Sequence, residues 1–139
     1  MPKGIFHAVV LTDDLDATVR FLTEVAGIGP VSSYEPDPQG LGTVFGWPPH
    51  LAATRAALVG EGPGMLEVIA IPEALRATVA PRVALLAVAT GDVAGRVDAA
   101  RAAGFHPRPP TTIPTPGGVD VTVAPVEVGG VGFEFVRFG

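Results

Sequence analysis

Apolar residues fall in short blocks broken by Gly, Pro and Asp, and the spacing within the blocks alternates between two kinds. Residues 5–11 form an apolar run with His7 inside it, which reads as a buried strand. Thr12 or Asp13 can cap the helix that follows, and Asp13, Asp14 and Asp16 favour the positive end of its dipole. Leu15, Val19, Leu22 and Ala26 share one helical face, and Gly27 ends the helix. Strands are predicted over residues 30–35, 41–47, 53–59 and 65–71. Turns fall at 36–40 and 61–64, Pro48, Pro49 and His50 break the second of these strands, and Pro72 closes the last. Residues 73–79 suit a short connecting helix.

The same pattern then starts again. Residues 83–89 are an apolar strand, and Thr90, Gly91, Asp92 and Val93 repeat the cap of Thr12, Asp13, Asp14 and Leu15. Val93, Val97, Ala100 and Gly104 repeat the helical spacing, with a one-residue slip where the helix ends. Residues 106–118 form a proline- and threonine-rich excursion holding Pro107, Pro109, Pro110, Pro114 and Pro116. Strands over 119–126 and 131–136 follow, joined by a turn at 127–130. Each half thus reads strand, helix, then about three strands. The predicted fold is α+β: two tandem βαβββ modules, residues 1–72 and 81–139, sharing a curved sheet around a cleft in one domain of 139 residues.

Composition narrows the function. The chain is 47% hydrophobic and 17% charged, enough apolar material for a core. A net charge of −5 gives no footprint for nucleic acid, and no basic helix points to a membrane surface. Apolar runs stop well short of the ~20 residues of a spanning helix, and the N-terminus, with one Lys, lacks a signal-type core. A cytoplasmic protein is expected. The absence of cysteine excludes disulfides, thiolate metal sites and a Cys nucleophile. No phosphate loop, dinucleotide fingerprint, nucleophile elbow or H-E-x-x-H is present, and the Gly-rich residues 60–64 join two strands rather than opening a helix.

The chemistry-bearing residues are one histidine and two carboxylates placed inside apolar strands, His7, Glu67 and Glu134. A buried carboxylate needs a partner, and two of them facing one cleft repel unless a cation or a shared proton intervenes. Arg55, Arg82 and Arg137 are candidate partners. Tyr34, Phe45 and Trp47 lie in or beside strands that would wall the cleft, with Trp47 before a Pro-Pro loop mouth. Together with Arg55 they are the candidate substrate-binding residues. His50 and His106, next to prolines in predicted loops, read as surface residues.

The ordered set of residues 7–15 with Arg20, Phe21, Leu22 and Gly27, residues 64–69, residues 91–93 with Ala102, Ala103 and Gly104, and residues 132–135 resembles the vicinal oxygen chelate superfamily. That group includes glyoxalase I, methylmalonyl-CoA epimerase, extradiol dioxygenases, fosfomycin-modifying enzymes and bleomycin-resistance proteins. The resemblance covers nearly the whole chain. It implies that each half supplies one ligand from its first strand and one Glu from its last, to a divalent ion such as Zn, Ni, Mn or Fe. Carried over, His7, Glu67 and Glu134 are metal ligands, and Glu67 and Glu134 are the catalytic acid–base candidates. The fourth position falls on Leu85, or on Ala84 with the one-residue slip, and neither side chain ligates a metal. Loss of that residue argues against an extradiol dioxygenase. The resemblance implies a homodimer acting on a small molecule. Two functions stay open: a lyase, isomerase or epimerase with or without a metal, or a non-catalytic, antibiotic-type binder using the same cleft.

Overall fold

A computed structural model describes residues 4–115 and 118–139. Lys3 and Pro116 therefore lie outside the described residues. Eight strands form one sheet: β1 (His7–Thr12), β2 (Val31–Tyr34), β3 (Ala56–Val59), β4 (Met65–Ala70), β5 (Arg82–Ala89), β6 (Thr111–Ile113), β7 (Val121–Val128) and β8 (Val131–Phe138). Their order is β2-β3-β4-β1-β5-β8-β7-β6. The first strands of the two halves, β1 and β5, meet antiparallel at the centre, and the last strand of each half lies parallel outside its own first strand.

The repeat in the sequence becomes a repeat in hydrogen bonding. Asp14 caps α1 (Leu15–Arg20), accepting from the Ala17 amide at 3.0 Å, and Asp92 caps α3 (Val93–Ala102), accepting from the Gly95 amide at 2.9 Å. Thr12 and Thr90 each accept the amide of the capping aspartate two residues on. The cap of α1 is thus Asp14 rather than Thr12 or Asp13, because the threonine hydroxyl is committed to holding the aspartate's backbone. Beyond Arg20 the first helix widens into a π-helical turn, Phe21–Val25. Leu15, Val19 and Leu22 pack on Ala57, Val59 and Val68, while Val93 and Val97 pack on Ala124, so both helices cover the same face of the sheet.

The other face is covered differently from the sequence expectation. The strand predicted over residues 41–47 is instead a helix, α2 (Pro38–Phe45). Asp37 caps it through the Gly40 amide at 3.2 Å, Pro38 occupies its first turn, and Gly46 closes it at φ 73°. Leu41 of α2, with Trp47 just beyond it, packs against Val9, Leu11, Ile69 and Leu85, and this cluster fills half of the concave face. A Cβ on Gly40 would stand 2.7 Å from the Ile113 side chain, so α2 comes in close to β6 and roofs the concave side. Residues 73–79 contribute a short 3-10 turn, Glu73–Leu75. In the second half the excursion contains β6, and Gly129 and Gly130, both at positive φ, make the two-residue hairpin turn between β7 and β8.

Gly132 on β8 leaves room for the neighbouring strand. An added Cβ would meet the Ala84 carbonyl oxygen at 2.5 Å and the Leu85 side chain at 2.9 Å. Backbone cannot yield as a side chain can. Gly132→Ala is therefore expected to cost about 2 kcal/mol or more, read as a lowered midpoint in urea denaturation.

Candidate functional site

Strand alternation decides what faces the concave side. His7, Glu67 and Glu134 all point there and line one cavity of about 310 Å³, together with Tyr34 from β2. The cross-strand register places them in two rows. Glu134 pairs with Ala87, and Ala87 pairs with His7, so the imidazole and this carboxylate flank one small residue. Glu67 pairs with Val9, and Val9 pairs with Leu85. The two rows are counterparts under the internal repeat, which makes Leu85 the equivalent of His7 and removes the need for a slip to Ala84. Leu85 is buried among hydrocarbon and does not reach the cavity.

His7 and Glu134 are buried and Glu67 is half-buried. His7 is 5% exposed, its Nδ1 has no hydrogen-bond partner, and its ring lies edge-on to Phe6 at 5.8 Å. Burial holds its pKa down at about 4, so the ring is neutral at physiological pH. Glu134 is also 5% exposed, and burial, with the Glu67 charge as a smaller cause, pushes its pKa up to about 8. Burial raises the Glu67 carboxyl as well, but the Tyr34 hydroxyl interacts with it and offsets part of that rise. Tyr34 in turn is pushed far above the usual phenol range by burial first and by Glu67 next. The pair therefore has unequal members: Tyr34 favours the ionised form of Glu67, and nothing comparable supports ionised Glu134.

None of the arginines weighed as partners reaches these carboxylates. Arg55 sits 3.7 Å from Asp16 at the solvent-facing side of α1, Arg82 donates to the Ala80 carbonyl, and alternation along β8 turns Arg137 to the face opposite Glu134. Three of the four residues expected to touch substrate lie elsewhere. Arg55 lines a shallow groove beside α1, Trp47 is 6% exposed within the core, and Phe45 stacks on Trp47 at 4.8 Å. Pro48 and Pro49 turn the chain away after Trp47 rather than opening a mouth, since α2 carries Trp47 inward. His50 and His106 do not line the cavity either. The sequence reading missed Asp37, whose carboxylate caps α2 and borders the cavity. Asp followed by Pro is a helix-start signal that could have located it.

The resemblance implies a divalent ion, and the donor set does not fit one. Leu85 supplies hydrocarbon at the fourth position, Glu67 is engaged by Tyr34, and among the described residues no three His, Asp or Glu side chains form a group able to hold an ion.

Comparison with known proteins places the chain. Residues 4–135 match the model of the Glyoxalase/Bleomycin resistance protein/Dioxygenase superfamily. The chain belongs to this superfamily. A comparison with curated proteins found no match. Among solved structures, methylmalonyl-CoA epimerase from Mycobacterium tuberculosis superposes with a TM-score of 0.70 at 18% identity, covering 98% of this chain and 88% of that one. A variant of the Streptomyces coelicolor methylmalonyl-CoA epimerase bound to 2-nitronate-propionyl-CoA gives 0.71 at 20% identity, covering 99% and 98%. A Bacillus halodurans protein gives 0.68 at 13% identity, covering 96% and 92%. At these identities the likeness establishes the glyoxalase-like fold of this superfamily member. No helix among the described residues is long and apolar enough to cross a membrane.

His7 and Glu134 push stability in opposite directions with pH. His7, with its pKa depressed, contributes stability that is present above its unfolded pKa near 6.5 and lost as pH falls through about 4. Glu134, with its pKa raised from 4.5, contributes stability present below 4.5 and lost as pH rises through about 8. Glu134→Gln removes only the second effect. Its stability relative to wild type is expected to improve between pH 5 and pH 9 by on the order of 3 kcal/mol, measured by denaturant melts at each pH.

Proposed function

We propose that this chain is a proton-transfer enzyme of the isomerase or epimerase type, acting on a small, mostly apolar organic molecule held in the concave cavity. The observation that carries this reading is the pair of carboxylates, Glu67 half-buried and Glu134 buried, brought from the last strands of the two halves to one cavity, with Tyr34 supporting the charged form of Glu67 alone. A site that moves a proton at neutral pH needs one group ready to accept and one ready to donate. Burial raises both carboxyls, so the pair carries a proton to donate near neutrality; Glu67, whose ionised form is the one Tyr34 supports, is assigned the base, and Glu134 the acid.

The step balances without a further reagent. Glu67 takes a proton from a carbon next to a carbonyl, and the C–H electron pair shifts onto the carbonyl oxygen. Glu134 then returns a proton to that carbon as the pair comes back. Delivery from the opposite face inverts that carbon, nothing is lost from the molecule, and proton exchange with water returns the two carboxyls to their starting forms. His7 stays neutral and borders the cavity, flanking Ala87 opposite Glu134. The epimerase names of the neighbouring structures support the reaction class.

A second reading, a non-catalytic binder, is favoured by Leu85 standing where the superfamily places a ligand. The experiment that separates them is deuterium uptake in D2O by a panel of small carbonyl compounds, neutral, anionic and cationic, including methylmalonyl-CoA. Uptake by at least one compound is expected, unaffected by EDTA and reduced at least ~100-fold in Glu67→Gln and Glu134→Gln. Compounds that bind in the cavity but exchange no proton at all would leave the binder reading standing.

A further inference from the structure

We propose that the Tyr34 hydroxyl holds the carbonyl oxygen of the bound molecule, so that the cavity takes an apolar body bearing a ketone or thioester carbonyl and Tyr34 is a catalytic residue beside Glu67. This rests on the proton-transfer reading given above, and its test has a readout that needs no turnover. A proton drawn from the carbon next to a carbonyl leaves negative charge on the carbonyl oxygen, and a donor already aimed at that oxygen stabilises the charge as it forms. A divalent ion does not fit the residues present, so the donor comes from the chain. Among the described residues, and apart from the carboxyls, the side chains lining the cavity with an O–H or N–H to give are His7, Ser32, Tyr34 and Thr115. Thr115 donates to the Val119 carbonyl, Ser32 lies exposed on the edge strand β2, and His7 stands in the row of Glu134. The amides of Gly40 and Leu41 are both taken by Asp37.

Register places Tyr34 for this task. Ser32 pairs with Leu58, and Leu58 pairs with Glu67. Residues two apart on a strand share a face, so Tyr34 stands on the concave side one step along from the row of Glu67, a diagonal that a long aromatic side chain spans. Its hydroxyl interacts with the Glu67 carboxyl. A carbonyl oxygen is only two bonds from the carbon that loses its proton, so a donor in contact with the base is within reach of that oxygen too. The hydroxyl serves the two partners in turn. As Glu67 takes the proton it becomes a weaker acceptor, the carbonyl oxygen becomes a stronger one, and rotation about the phenol C–O bond carries the O–H across. The C–H bond breaks, the Glu67 O–H bond forms, and the electron pair rests on an oxygen that accepts from Tyr34; Tyr34 itself keeps its proton, as a phenol does at neutral pH. Leu58, Met65 and Ile69 line the same cavity, and such hydrocarbon walls strengthen a hydrogen bond made among them and suit an apolar body.

The test reads the carbonyl bond itself. Acetophenone, cyclohexanone and butanone, each carrying carbon-13 at the carbonyl, are added to the full chain, and isotope-edited infrared difference spectra follow the C=O stretch. At least one ketone is expected to bind with its band at or below its position in water, and in Tyr34→Phe that band is expected to rise towards its position in hexane. Tyr34 is the chain's single tyrosine, so fluorotyrosine supplied during expression labels it alone and keeps its shape. Its fluorine NMR signal is expected to move when the ketone binds, which keeps the test decisive if Tyr34→Phe does not fold. For any compound that exchanges deuterium, Tyr34→Phe is expected to lower the rate at least ~100-fold, with the loss falling mainly on kcat. Binding of none of the three ketones, a carbonyl band in the same place in both proteins, a fluorine signal that stays still, or exchange at the wild-type rate in Tyr34→Phe would overturn the proposal. A carbonyl band that depends on Tyr34, with no deuterium exchange by any compound, would remove the enzyme reading and leave Tyr34 as the group that holds the carbonyl.

Discussion

The antiparallel pairing of β1 with β5 sets the direction of every side chain in the site. Because His7 pairs with Ala87 and Val9 with Leu85, the two halves meet about a local two-fold relation, and their last strands lie symmetrically outside. A slip of one residue at this seam would turn His7 to the helix-covered face and bring Ala8 into the cavity. The same seam makes each Glu end a row running inward through a small or branched residue to the first-strand position of the other half. In one row that position is His7, in the other Leu85. Symmetry of backbone thus coexists with asymmetry of chemistry.

That asymmetry is resolved by packing. In the row of Leu85, hydrocarbon continues from Val9 into the cluster built on Leu41 and Trp47, and α2 lies over it. In the row of His7, Ala87 is buried with Val123 and Val136, and the cavity lies over the polar residues on either side of it, His7 and Glu134. Half of the concave face has become core and half remains a pocket. Filling one half with an apolar cluster adds burial at roughly 25 cal/mol per Å² of apolar surface, a gain for the fold that removes one donor from the site. Glu134 is buried and Glu67 half-buried, and they influence each other through the cavity rather than through arginine.

The alternation of apolar blocks, the repeated Thr-x-Asp caps and the in-strand charges made most of the sheet, the helices on its outer face and the three polar residues that share the cavity readable from the chain. Where reading failed, tertiary contacts had outweighed local preference. Thr43, Val44 and Phe45 favour a strand, and Gly40 and Gly42 each cost a helix about 1 kcal/mol. Asp37 and Pro38 at one end and Gly46 at the other nonetheless define α2, because Leu41 finds a core to pack on and Gly40 fits against Ile113. Trp47 followed this helix into the interior, which no local signal at Pro48 and Pro49 could reveal. The role of Arg55 failed for a simpler reason: its strand neighbours were legible, but which face its loop presented was not.

The central claim is that Glu134 and Glu67 face one cavity without a compensating charge, so that Glu134, buried beside Glu67, keeps its proton at neutral pH. Infrared difference spectroscopy of the carboxyl C=O stretch reads this directly. The account predicts protonated-carboxyl absorption at pH 7, one component of which is lost on titration through about pH 8 and is missing from Glu134→Gln. A spectrum at pH 7 with every carboxyl ionised, and no such band to lose, would contradict it.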